Sequence, residues 1–184
     1  MNALSQLDEE HEQILDALCA LERIAYAPAE TTPFPSDDAA SLVEFFRRFV
    51  DGAHHGKEES ALFPALAASG ISEEQGPLAT VRAQHAEAKS LLQALADATA
   101  GAGRGRGPRG RFTRAAEAYA ALLRTIIRKE TFVLYHAARR RLGEDVLLTL
   151  LTDFERIEAA TFSTESRTEV LCAMERLGVR RAAA

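Results

Sequence analysis

Residues 54–66 read HHGKEESALFPAL, and the fold follows from how this stretch sits on a helix. His54 with Glu58, and His55 with Glu59, both have the i, i+4 spacing that sets two side chains over one groove. Their flanks separate them. Val50 and Ala61 continue the stripe of His54, whereas Arg48 and Asp51 precede His55, so His54 and Glu58 form the inward pair. His55 stands about 100° round the helix, near the boundary of the apolar face. Upstream, Leu42, Phe46 and Val50 carry the stripe back to a start near Asp38, capped by Ser36 or Asp37. Before that, Pro33 and Pro35 make the segment from Pro28 to Ser36 a loop, and downstream Pro64 kinks or ends the helix.

Three other segments repeat the pattern. A first helix from about Ser5 to Tyr26 carries Leu4, Leu7, His11, Ile14, Leu18 and Leu21 on one stripe. A third, after Gly70 and Pro77, carries Leu78, Val81, His85, Leu92 and Leu95. A fourth, from about Arg111 to Leu142 with Gly143 as its stop, carries Phe112, Ala116, Tyr119, Leu123, Ile126, Glu130, Val133 and Ala137. His136 has Lys129 and Arg140 beside it and is expected at the surface.

The polar exceptions on these seams are His11, His54 with Glu58, His85, and Glu130. A buried imidazole or carboxylate is costly unless something inside the fold satisfies it. Any one of them alone reads as a core side chain bonded to a carbonyl or hydroxyl. Four helices making the same exception point instead to one shared partner at the centre, most simply a metal. Imidazoles and carboxylates without a thiolate suit iron, manganese or zinc, and two carboxylates can bridge a pair of ions. Spacing leaves one ion and two ions equally open.

Composition agrees with an all-α reading. The chain has 184 residues, 47% of them apolar, enough for one domain with a sizeable core. Ala, Leu, Glu and Arg abound and strand-length β-branched runs do not occur, so the expected architecture is an up-down four-helix bundle over residues 1–142. Residues 101–110, GAGRGRGPRG, are expected to form a flexible connection. Residues 143–184 are expected to add C-terminal helices packed on the bundle, through DVLLTLLTDFERIE and a last helix from about Thr164 to Leu177. The net charge of -5 disfavours nucleic-acid binding. Cys19 and Cys172 suit free thiols in a reducing compartment, and neither a secretory leader nor a membrane span is legible, so a cytoplasmic protein is expected.

These motifs, His11 in LDEEHEQIL, HHGKEESALFPAL, His85 in VRAQHAEAKSLL and Glu130 in YAALLRTIIRKETFVL, resemble the hemerythrin-like family of HHE cation-binding domains in order and spacing over roughly residues 4–142. The resemblance implies a bundle holding non-haem iron, commonly two ions bridged by carboxylates, that meets O2, peroxide or nitric oxide. It implies that His11 and His54 serve one iron, Glu58 and Glu130 bridge, and His85 serves the second. The chain departs from the family where a fourth-helix His is expected one turn before the Glu: Ile126 stands there, and Lys89 follows His85 by one turn. An Ile cannot ligate, so the expected site is asymmetric, with a second ion that is weak, absent, or completed by water or Lys89. The leading functional reading is an iron-binding sensor, store or scavenger whose partner is a small diatomic or peroxide ligand. The alternatives are an iron-dependent oxidase or peroxidase-like enzyme, for which Tyr119 could line a substrate pocket although a Tyr on a seam is expected in the core, and a metal-free bundle acting as an interaction module.

Overall fold

The structure is a computed structural model and describes residues 2–28 and 33–179. Of the expected loop from Pro28 to Ser36, residues 29–32 lie outside the described residues. Helix α1 spans Ala3–Tyr26, with the Asn2 side chain accepting the Ser5 amide at its start. Helix α2 covers 36–68, starting two residues earlier than expected with Asp37 and Asp38 in its first turn, where the helix dipole favours negative charge. Helix α3 is Gly76–Thr99 and helix α4 covers 106–141. Two shorter helices follow, α5 at Glu144–Thr161 and α6 at Thr164–Arg176. Among the described residues these six helices occur without any strand, an all-α helical bundle.

Each of α1 to α4 packs on its sequence neighbour and α4 returns to α1, which closes the four-membered ring. The apolar stripes meet inside it: Leu4, Leu7, Ile14 and Leu18 of α1 are buried together with Leu42, Phe46 and Val50 of α2, Val81 and Leu92 of α3, and Phe112, Leu123 and Ile126 of α4. Tyr119 is a core residue, packed edge-on against Phe46 at 5.0 Å between ring centres, rather than the lining of a substrate pocket. Helix α5 lies along α1 and the middle of α2, and α6 packs on the start of α2. No helix is long and apolar enough to cross a membrane among the described residues.

Three expectations need correction. The stretch 101–110 is largely helical, with a tight turn at Ala102–Arg104 and α4 already under way at Arg106. Gly105 supplies the reversal at φ +139°, which side-chain-bearing residues rarely adopt, and Pro108 falls in the first turn, where its missing N–H has no helical partner to lose. The Arg109 guanidinium donates to the Ala27 carbonyl at 2.9 Å, tying this start to the end of α1. Of the two outcomes expected at Pro64, a kink or an end, the end does not occur, since α2 runs on through Phe63–Ala68. On α4, Val133 is exposed and Ala137 half-buried, while Leu134, Tyr135 and Ala138 face inward.

Candidate metal centre

The last two corrections share a cause. Helix α2 widens into π turns over Phe46–His54 and Glu58–Leu62, and α4 does so over Glu130–Leu134. A π turn bonds i to i+5, so one extra residue enters the turn and every later side chain advances round the helix. The His55 amide bonds the Val50 carbonyl, Phe63 bonds Glu58, and Tyr135 bonds Glu130. His55 is thereby set above inward Val50, and Tyr135 above inward Glu130. After the second widening Pro64 stands in the first turn of the resumed α-helix, a position that tolerates proline.

The structure brings together all five residues marked from the sequence, His11, His54, Glu58, His85 and Glu130, each at most 3% exposed. Glu130 divides its oxygens between two imidazoles, Oε2 accepting from His11 Nε2 at 3.1 Å and Oε1 from His85 Nε2 at 2.8 Å. Glu58 Oε1 accepts from the Tyr135 hydroxyl at 2.7 Å. Its Oε2 has no hydrogen-bond partner and lies 3.8 Å from His54 Nε2 and 3.6 Å from His85 Nε2. Donor atoms of His11, His54, Glu58 and Glu130 all fall within 4.8 Å of one another, as do those of His55, Glu58 and His85. These two groups share Glu58.

Outer partners aim the rings. Thr131 Oγ1 is 3.1 Å from His11 Nδ1, Glu10 takes His54 Nδ1 at 2.8 Å, and Glu59 takes His85 Nδ1 at 2.8 Å. Such contacts fix the orientation of a ligating imidazole and raise its basicity. Burial holds the His54 imidazole below its usual pKa, and with Nδ1 donating to Glu10, Nε2 carries a lone pair turned into the cluster with no hydrogen-bond partner. Burial also opposes charge on His85, but its hydrogen bonds to Glu130 and Glu59 and the nearby carboxylates raise it to about 10. Burial, then the charge of Glu130, pushes the Glu58 carboxyl well above its usual range. For Glu130 burial acts the same way, yet hydrogen bonds from His11 and His85 outweigh it and hold the carboxyl well below that range. His55 is held well below its usual value by burial and by the charge of His85.

Two carboxylates, four imidazoles and unpartnered atoms at His54 Nε2, His55 Nδ1 and Glu58 Oε2 are a donor set lacking its acceptor. Each such buried atom costs roughly 1–3 kcal/mol when left unpaired. A cation would satisfy the inward lone pairs and offset the carboxylate charge, so the residues present fit a metal.

Several site residues were not marked from the sequence. His55, placed at the face boundary, is 4% exposed and stacks on His85 at 3.8 Å. Tyr135 stacks on His11 at 5.2 Å. The i+5 spacings from Val50 and Glu130 would have found both, but only once the π turns were known. Glu10, buried beside His11, is held at about 2: burial raises it, and the His54 hydrogen bond with the Lys57 charge more than reverses this. Lys89 is not in the cluster; it is 74% exposed, with its ammonium 3.5 Å from Asp51. His136 is exposed, as expected.

No protein of curated function and no solved structure matches the chain. The profile of the hemerythrin HHE cation-binding domain matches residues 2–138, which include every donor of the cluster. With three-quarters of its length inside that match, the chain belongs to the hemerythrin HHE cation-binding domain family.

Proposed function

We propose that this protein holds non-haem iron in the buried cluster and there binds, senses or scavenges O2, peroxide or nitric oxide. The observation that carries the reading is the pair of unpartnered inward atoms, His54 Nε2 and Glu58 Oε2, set among donors from four helices. His11, His54, Glu58 and Glu130 would hold the principal ion. Imidazole with carboxylate suits iron, with manganese and zinc the nearest competitors. Bound iron would supply exchangeable coordination positions and a change of oxidation state. The chain's own residues aim the imidazoles, through Thr131, Glu10 and Glu59, and exclude bulk water from the centre.

Access favours a small ligand. A cleft of about 310 Å³ reaches the cluster at His55 and His85, and Asp51, Glu59, Arg82 and Lys89 make its walls charged. Such walls suit a diatomic or peroxide better than an apolar organic substrate, which supports binding or scavenging over the oxidase alternative. The unpartnered donors weigh against a metal-free interaction module, for which apolar replacements would be more stable. Cys19 and Cys172, with no disulfide between them, accord with the proposed cytoplasmic setting. The test is the optical spectrum of the iron-loaded chain, recorded without oxygen and after addition of O2, hydrogen peroxide or nitric oxide. New charge-transfer bands with at least one of them are expected, and an unchanged spectrum with all three would contradict the proposal.

A further inference from the structure

We infer that His55, His85 and Glu58 form a second metal position, in which His55 supplies from α2 the imidazole that Ile126 fails to supply from α4. This deepens the metal-binding reading above and rests on it. Ile126 is fully buried one turn before Glu130, so that turn of α4 offers the cluster only hydrocarbon. On the opposite wall the π turn brings a second imidazole inward. His55 is 4% exposed, its Nδ1 has no hydrogen-bond partner, and its ring is stacked on that of His85 at 3.8 Å, a packing from which one ring must turn for both lone pairs to meet a single ion. Donor atoms of His55, Glu58 and His85 lie within 4.8 Å of one another.

Glu58 is placed to serve two positions, and Glu130 joins the first. Glu58 Oε2 lies between His54 on one side and His85 on the other, at 3.8 and 3.6 Å. Glu130 gives one oxygen to His11 and the other to His85. Two imidazoles and one carboxylate with positions left open are the set that suits ferrous iron. An ion held there would be reached from the charged cleft, which His55 and His85 help to line. The site therefore remains asymmetric, with four protein donors at the first position and three at the second, Glu58 being common to both. The second position is the one that exchanges ligands with solvent.

Elemental analysis tests this on the full chain, loaded with ferrous ion without oxygen and freed of excess metal, with circular dichroism to show that each protein is folded. Two ions per chain are expected in the natural sequence, one in His55→Ala, and two again in the double variant carrying His55→Ala with Ile126→His. Two ions in His55→Ala would overturn the role of His55. One ion in the natural sequence would overturn the second position and leave the iron-binding proposal standing, whereas none would overturn both. Should His55→Ala fail to fold, zinc titration of the natural chain gives the answer by nuclear magnetic resonance: the His55 ring nitrogens should shift with the second equivalent, and their failure to move would overturn the inference.

Discussion

His11, His54 and His85 are each gripped at Nδ1 and aimed at Nε2, but the gripping groups differ, and so do the consequences for protonation. His54 gives its Nδ1 hydrogen to Glu10 and keeps a free lone pair, while His85 lies between two carboxylates and holds a proton on both nitrogens. Its folded-state pKa, raised from 6.5 to about 10, stabilises the metal-free fold fully below 6.5, and that contribution is lost as pH rises through about 10. A metal at His85 Nε2 must expel this proton. Iron uptake near neutral pH should therefore release at least one proton per chain, and the affinity should rise about tenfold per pH unit across that window for each proton displaced. Titration in weak buffer with an indicator dye measures both, and a pH-independent affinity would contradict the assignment. The five seam residues were legible because each lies three or four residues from an apolar residue of its own stripe. His55 and Tyr135 were not, because both follow a π turn that the side-chain pattern does not announce.

Helix boundaries were legible to within a few residues where proline or glycine punctuates the chain, as at Gly143 and Gly178. They failed at Arg106, where a Gly-rich run that suggests flexibility starts a helix through one positive-φ glycine. The contact between α2 and α5 was also hidden, since it depends on missing side chains. Gly52 and Gly56, one turn apart, let α5 approach: a Cβ would meet Thr161 Cγ2 at 2.9 Å from Gly52 and Ile157 Cγ2 at 3.3 Å from Gly56. Alanine is the better helix former by about 1 kcal/mol, but overpacking costs roughly 1–3 kcal/mol. Gly52→Ala should therefore leave the chain neutral to about 2 kcal/mol less stable in urea, and Thr161→Ser, which removes the obstructing methyl, should recover most of any loss. A stabilised Gly52→Ala would show that α5 does not press on α2.

At the scale of the molecule, α5 does more than cover the bundle. The buried Lys57 ammonium bonds Glu10 of α1 and, at 3.2 Å, Glu158 of α5, and Glu158 in turn pairs with Arg167 of α6. A chain of charges thus runs from the C-terminal helices through Lys57 and Glu10 to His54. The sequence did not show it, because Glu10 and Lys57 lie off the apolar seams and are buried only where α5 meets α1 and α2. Lys57→Met should cost about 3–5 kcal/mol by stranding Glu10, visible as a lower urea midpoint at unchanged slope, and should weaken metal binding by loosening His54. Unchanged stability would remove Lys57 from this role. The central claim, that a metal satisfies the buried His and Glu cluster, meets its most direct test in the thermal unfolding of the metal-stripped chain with and without ferrous ion under anaerobic conditions. Free metal at about a hundred times the dissociation constant should stabilise the natural chain by about 2.7 kcal/mol, raising its melting temperature, and His54→Ala, which removes a donor of the first position only, should diminish the gain. Equal melting temperatures with and without metal in the natural chain, or an equal gain in His54→Ala, would contradict it.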